Sequence, residues 1–565
     1  MGGLIPLAKY LFTRLHQCGI RSVHGVPGDF TLKALDHLKA SKLQWIGNCN
    51  ELNAGYAADG YARMRGASAL FTTYGVGELS AINAVAGSYA EYVPVIHIVG
   101  TPQRHLQNSG AIVHHTLGDG RSRIFAEIYE KVTVAQANLI TVETSPQMID
   151  HTLERCLMES RPVYIELPCD MVSQQVSSDR LRKPLEDQMS FNGEEEDQQL
   201  ESLLRKIYSA KQPLLLVDRG AGVPYMKQEI NDFVKLSVIP TLTMPSGGGM
   251  IDHSIKNYFG VHSGPVGQID TMPFVESCDL VIAFGPMFSD TQTMGFKVVP
   301  SSAKTVTMGK NYIDDAANSR VNINGKRFMQ KLLKNLNIEK ISGRHPTSLA
   351  DFRKIKAPLV KPDAPIDQST FYLRLNEYFR AGDVILLGNA TPILGGRDFH
   401  LPPQAQIIAS GMWFSIGHML PAAQGVSLAQ LQTGDGKGRT ILLDGDGSFQ
   451  VTAQELSTIM RERLNITIFI INNGGYAYER LIHGMDEDYN DIAPWRYLDA
   501  PRFFGAPPRY KVQTTHIKTW RQMDDLLASE SFNDGIGLKL VEVEVGKYDV
   551  PEKFKAMFKV AGEQI

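Results

Sequence analysis

Thr440-Ile-Leu-Leu443 runs into Asp444-Gly445-Asp446-Gly447-Ser448-Phe449-Gln450, and 24 residues separate Gly447 from Asn472-Asn473-Gly474-Gly475-Tyr476. Residues 440–443 read as a buried strand, 452–463 as a helix and 466–471 as a second strand. That length takes the chain through a helix and back up a neighbouring parallel strand. Asp446 and Asn473 then leave the sheet at one edge, where open α/β sheets bind ligands. An aspartate and an amide oxygen are hard ligands for Mg²⁺, which keeps further positions for diphosphate oxygens. Gly445 and Gly447 let backbone N–H groups approach a phosphate, and Ser448 heads a helix whose N-terminus favours an anion. A lone Gly-Asp-Gly carries little weight. Gly434-Asp435-Gly436 repeats it in a polar loop, with no strand before it and no Asn-Asn at the right distance.

The same rhythm extends outward along the chain. Strands are expected at 22–26, 44–48, 69–74, 93–99 and 163–167, with helices at 4–18 and 51–65. The middle third offers strands at 213–217 and 280–285, and the last third adds 384–387. Strand, glycine-rich turn and helix in alternation mark parallel α/β sheets. The expected fold class is therefore α/β, with three doubly wound parallel-sheet domains. A polar stretch at 177–197 and a proline-bearing one at 342–365 (Pro346, Pro358, Pro362, Pro365) read as linkers. The divisions become 1–176, 198–341 and 366–565. Glu194-Glu195-Glu196-Asp197, ahead of a helix at 198–209, reads as an exposed helix start. The likeness of the first and last thirds suggests internal duplication, without a simple sequence repeat.

Composition narrows the function. The 565 residues are 43% hydrophobic and 21% charged, with 57 Lys+Arg against 60 Asp+Glu and a net charge of -3. That balance gives no electrostatic footprint for nucleic acid or an anionic membrane. No apolar run reaches the roughly 18 residues of a membrane helix. The first ten residues lack the pattern of a signal peptide. Cys18, Cys49, Cys156, Cys169 and Cys278 are scattered and form no CxxC. A reducing, cytoplasmic setting is expected.

GDGSFQ followed by NNGGYAYERLIHG resembles the thiamine-diphosphate motif of the 2-oxo acid decarboxylases, the pyruvate decarboxylase-like family. Gly25-Val-Pro-Gly-Asp-Phe30, Asn48-Cys-Asn-Glu-Leu-Asn53, Val113-His-His-Thr116 and Phe414-Ser-Ile-Gly417 agree with it in order and spacing. The resemblance covers nearly the whole chain. It implies thiamine diphosphate and Mg²⁺, with Asp446, Asn473 and the Gly475 carbonyl as metal ligands. It also implies a pyrimidine-binding first domain, a central domain and a diphosphate-binding last domain. A homodimer is implied as the catalytic unit, assembled into a homotetramer, because the glutamate and the diphosphate site come from different subunits in such enzymes.

Read alone, Glu51 is a helix-start acid; by resemblance it bonds the aminopyrimidine ring. Ile416 matches the residue that props the cofactor in its bent form. Thr391, Phe414, Ser415, Gly445, Gly447, Ser448, Tyr476, Ala477 and Tyr478 match other cofactor-lining positions. Gly388-Asn-Ala-Thr-Pro392 departs from the family's frequent Glu-x-Gly-x-Ser, so one carboxylate is missing there. Asp29, His114, His115 and Glu479 are the implied catalytic groups beside Glu51. Asp29 and His115 would deliver the proton that completes the aldehyde, and Glu479 would act on the substrate carboxylate. Read without the resemblance, the two histidines are either part of a structural turn or a metal pair, the latter with no third ligand at suitable spacing.

The implied activity is non-oxidative decarboxylation of a small-molecule 2-oxo acid to an aldehyde and CO₂. Thr291, Ile393 and Tyr478 depart from pyruvate-specialised relatives, while Ile482 keeps an aliphatic character. Together they suggest a pocket reshaped for an aromatic or branched 2-oxo acid. A carboligase forming acyloins from the same intermediate is the alternative. A nicotinamide oxidoreductase is the weakest reading: Gly75-Val-Gly-Glu-Leu-Ser80 lacks the third glycine of its fingerprint.

Overall fold

A computed structural model describes residues 3–185, 193–315, 320–343, 349–433 and 438–561. The first sheet has six strands in the order Gln44–Gly47, Ser22–Gly25, Ser68–Thr73, Val95–Thr101, Val163–Pro168, Gln136–Asn138. All its pairs are parallel. Ser68–Thr73, Val95–Thr101 and Val163–Pro168 are buried along their whole length, as strands covered on both faces must be. Leu7–Gln17 and Ser145–Glu159 pack one face, and Glu51–Arg65 with Val76–Ala90 packs the other.

The central sheet runs Tyr258–Val261, Thr241–Thr243, Pro213–Val217, Leu280–Phe284, Thr305–Met308, Tyr312–Asp315, Val321–Asn322. Its last two pairings are antiparallel, so this sheet is mixed at one edge. The third sheet runs Gln406–Ala409, Val384–Leu387, Thr440–Gly445, Ile466–Asn472, Leu538–Glu544, Val512–Ile517, again all parallel. Renumbered within each sheet, the first and third share one order, 2-1-3-4-6-5.

Corresponding helices of those two domains meet. Glu51–Arg65 and Met419–Thr433, each of 15 residues, follow the second strand of their sheets and pack together. Glycines permit the approach. A Cβ at Gly425 would lie 1.9 Å from the Ala57 carbonyl oxygen, and one at Gly60 would lie 2.2 Å from that of Ala422. Asn48 and Asn53 close the contact by donating to the two carboxylate oxygens of buried Glu455, at 2.7 and 3.0 Å.

Several boundaries differ from the sequence expectation. The first helix starts at Leu7, because Leu4–Pro6 is drawn into an antiparallel pair with Gln175–Ser177. The helix expected at 452–463 is two, Asp446–Thr452 and Glu455–Arg461. The helix expected at 198 begins at Gly193, with three acids in its first turn where the helix dipole favours them. Glu196 there is buried and pairs with Arg327 and Lys331, so the acidic run is not exposed throughout. Gly434-Asp435-Gly436 and Pro346 lie outside the described residues. Among the described residues no helix is long and apolar enough to cross a membrane.

Candidate active site

The strands Thr440–Gly445 and Ile466–Asn472 are neighbours and end at the same edge. The Asp446 carboxylate therefore faces the turn after the second strand. Its Oδ2 accepts the N–H groups of Asn473, Gly474 and Gly475 at 3.2, 2.8 and 3.1 Å, and its Oδ1 accepts that of Gly447 at 2.8 Å. Burial pushes its pKa up to about 6 against these four donors, and pushes the neighbouring Asp444 up to about 7. One oxygen of Asp444 is buried without a hydrogen-bond partner. A cation here would offset both buried acids. No atom lies within 4 Å of a Cβ placed on Gly445, so the backbone stays approachable.

A cavity of about 330 Å³ opens beside this edge. Gly445, Asp446, Gly447, Ser448, Asn473, Gly475, Tyr476, Ala477, Tyr478 and Glu479 line it. Thr391, Ile393, Phe414, Ile416 and Thr291 also face it. The segment carrying Phe414 and Ile416 is held from the first domain. Glu91 Oε1 accepts from the Ser410 hydroxyl at 2.5 Å and from the N–H groups of Gly411, Met412 and Trp413 at 3.1–3.2 Å. Asn389 Nδ2 donates to the Phe414 carbonyl at 2.7 Å, fixing a residue with φ +50°.

A second group gathers at the same edge of the first sheet. Asn50 caps the helix Glu51–Arg65 and sets Glu51 at its first position, half-buried, with a pKa raised by desolvation. Its Oε1 lies 3.0 Å from where a Cβ of Gly77 would stand. Asp29 Oδ2 is 2.6 Å from His114 Nε2, and the His114 ring stacks on Phe30 at 5.0 Å. The His115 ring lies 4.7 Å from that of His114. A Cβ on Gly75 would meet the His115 carbonyl at 2.0 Å. The Gly75-Val76-Gly77 turn thus gives room to His115 and Glu51, which accounts for its glycines without a dinucleotide. The missing third metal ligand is corrected too: Asp29, distant in sequence, places a carboxylate oxygen within 4.8 Å of ligand atoms of both histidines.

Comparison with known proteins matches both edges. Residues 5–121 fit the family described as thiamine pyrophosphate enzyme, N-terminal TPP binding domain, 200–336 its central domain and 389–525 its C-terminal TPP binding domain. A pyruvate decarboxylase of Aspergillus parasiticus is 44% identical over 98% of this chain and 96% of its own length. Pyruvate decarboxylase of Aspergillus fumigatus is 39% identical over 99% and 97%. Pyruvate decarboxylase isozyme 1 of Saccharomyces cerevisiae is 34% identical over 97% of both chains. The chain belongs to the thiamine-diphosphate-dependent 2-oxo acid decarboxylases. It is a carbon–carbon lyase that uses thiamine diphosphate.

Within this decarboxylase the two groups of site residues stay apart. Asp29, Glu51, His114 and His115 do not line the cavity that holds Asp446 and Glu479. Ser415 turns away from the cavity, its hydroxyl bonded to Tyr56 at 2.6 Å and Asn83 at 3.1 Å. Ile482, at the end of the helix Ala477–Ile482, is 46% exposed and also outside it. Sequence reasoning missed Arg397, Phe554 and Met557, which do line it. The apolar spacing of Phe554, Met557 and Phe558 marks an amphipathic terminal helix, but nothing local ties that helix to the site.

Proposed function

We propose that this decarboxylase converts a 2-oxo acid larger than pyruvate, with an aromatic or branched side chain, to an aldehyde and CO₂. The observation that carries the reading is Thr291 on the cavity wall beside Ile393 and Tyr478. The small Thr291 side chain leaves space that an aromatic residue would fill. The Tyr478 ring lines the cavity and packs against Phe554 and Phe558 at 5.2 and 5.4 Å.

Asp446, Asn473 and the Gly475 carbonyl would hold Mg²⁺, with Gly445, Gly447 and Ser448 offering backbone and hydroxyl groups to the diphosphate. When bound, thiamine diphosphate would supply a carbanion nucleophile and an electron sink for decarboxylation. Ile416, Phe414 and Thr391 shape the space around its rings. Glu51 holds a proton toward the aminopyrimidine, and its burial makes that proton easier to keep. Glu479 faces the substrate carboxylate, where a second negative charge disfavours the acid and favours its loss as CO₂. Asp29 and His115 then deliver the proton that completes the aldehyde, with His114 orienting Asp29 through their hydrogen bond.

Because Glu51 and the histidines lie outside the cavity of their own chain, a second copy supplies them. The catalytic unit is a homodimer, paired further into a homotetramer in the cytoplasm. The divisions 1–176, 198–341 and 366–565 serve as the pyrimidine-binding, central and diphosphate-binding domains. Product analysis with pyruvate, 4-methyl-2-oxopentanoate, phenylpyruvate and indolepyruvate tests the substrate. A larger acid is expected to give the highest kcat/KM, and Thr291→Tyr to move preference toward pyruvate by about tenfold, as loss of one or two methylene-sized spaces does. Pyruvate as best substrate, or an unchanged ranking in Thr291→Tyr, overturns the reading. Acyloin in excess of aldehyde without an added acceptor assigns the chain to carboligation instead.

A further inference from the structure

Arg397 follows the helix Thr391–Gly396 and lines the same cavity as Thr291, Ile393 and Tyr478. Its Nε and Nη1 are enclosed and make no hydrogen bond among the described residues. No carboxylate among those residues pairs with it. The adjacent Asp398 is engaged by Lys553 and by Gln268 Nε2 at 3.4 Å. Desolvation pulls the guanidinium pKa down to about 10, opposed by the charges of Asp398 and Tyr478. On the cavity side Leu394, Ala477, Phe554 and Met557 belong to one buried apolar cluster, while Ser263, Gln268, Asp398 and Lys553 lie on the other side of Arg397.

A buried cation without a counter-ion is destabilising, and such groups are ordinarily paired. Of the two cavities that Arg397 borders, of about 330 and about 30 Å³, the larger is the substrate cavity and has room for a ligand. Among the other polar lining groups, Gln292 accepts from Ser246 N–H and donates to the Met287 carbonyl, while Asn389 Oδ1, an acceptor that carries no charge, is buried without a partner among the described residues. We propose that Arg397 is a specificity-determining residue that pairs with a second carboxylate at the far end of the substrate's side chain. The preferred substrates are then 2-oxo acids carrying a distal carboxylate, whose planar group matches the arginine fork. This rests on the reading of the cavity as the site of 2-oxo acid decarboxylation.

The test compares each acid with its neutral isostere: 2-oxoglutarate with 5-methyl-2-oxohexanoate, and 4-carboxyphenylpyruvate with phenylpyruvate. Wild type is expected to favour at least one carboxylated member by about tenfold or more in kcat/KM, the worth of a charge-assisted hydrogen bond. Arg397→Met is expected to reverse that ratio. Two readouts do not depend on turnover. Glutarate should raise the Tm of the cofactor-free wild type and leave that of Arg397→Met unmoved. Without ligand, Arg397→Met should melt higher than wild type, because an unpaired buried charge is gone. If neutral acids give aldehyde in preference and Arg397→Met leaves every ratio unchanged, the inference is overturned while the decarboxylase reading stands. If no 2-oxo acid gives aldehyde, that reading falls and takes this one with it.

Discussion

The first and third sheets share a strand order but not a task. After the third strand of the C-terminal sheet, Asp446 stands at a helix start with four backbone N–H groups on its carboxylate, beside an open cavity. After the third strand of the N-terminal sheet, the corresponding turn is closed. Gly75 donates to Glu78 at 2.7 Å and is covered by the His115 carbonyl. What the N-terminal domain offers instead comes from its other loops, which bring Glu51, Asp29 and the two histidines to its edge. A shared frame fixes where loops emerge, and in the proposed mechanism the loops decide which half of the chemistry each domain carries.

The largest expected effects test that division of labour. Asp446→Ala should weaken thiamine diphosphate and Mg²⁺ binding by about 100-fold or more in calorimetry, since a metal ligand is lost. Glu51→Gln should retain the cofactor yet lose about 100-fold or more in turnover, as removal of an acid–base group does. Each variant alone is then inactive for a different reason. Mixed and reassociated in equal amounts, they form heterodimers with one intact site built from two chains. Recovery toward about a quarter of wild-type activity is expected for random pairing. No recovery would mean that both halves serve one chain, and the comparison would break.

A smaller effect probes the contact that joins the two domains. Gly425→Ala puts a methyl group against the Ala57 carbonyl, which belongs to helix backbone and yields little. Overpacking of this kind costs about 1–3 kcal/mol, so Tm should fall by several degrees. Gly3→Ala, with nothing within 4 Å of the new Cβ, is the control and should not move it. Equal Tm values for both would show that the helices can slide apart freely.

The readable part of this molecule was local or periodic. The Asp446–Asn473 juxtaposition followed from spacing, because a strand, a helix and a parallel strand of that length have one common outcome. The strands at 213–217 and 384–387 were continuous apolar runs and have the expected bounds. What escaped was set by distant partners. Ser415 faces Tyr56 and Asn83 because the first domain grips its loop through Glu91. Leu4–Pro6 became a strand because Gln175–Ser177 lies beside it. Arg397 belongs to no motif singled out in the sequence; it becomes a cavity residue through packing beside the terminal helix.

An effect seen only as a dependence on pH separates Glu78 from its counterpart. Asp446 and Glu78 both stand in the first turn after a third strand, and burial raises both pKa values. In the proposed site Asp446 gains a cation when the cofactor is loaded, whereas the Glu78 carboxylate, among the described residues, accepts from the Tyr164 hydroxyl at 2.6 Å and the Gly75 N–H. Desolvation pushes Glu78 from 4.5 up to about 7. Between those values the unfolded chain has already lost its proton while the folded chain keeps it. Stability therefore falls as pH rises through that window and levels off above it. Glu78→Gln keeps the shape and removes the titration. The Tm of the variant minus that of wild type should climb from pH 4.5 to pH 7 and then stay constant. Saturating thiamine diphosphate and Mg²⁺ should lift both curves without changing that difference, since Glu78 is buried in the closed turn, apart from the proposed cation site at Asp446. A difference that stays flat across the window would show that Glu78 titrates as an exposed acid, and that the closed N-terminal turn admits water as the C-terminal one does.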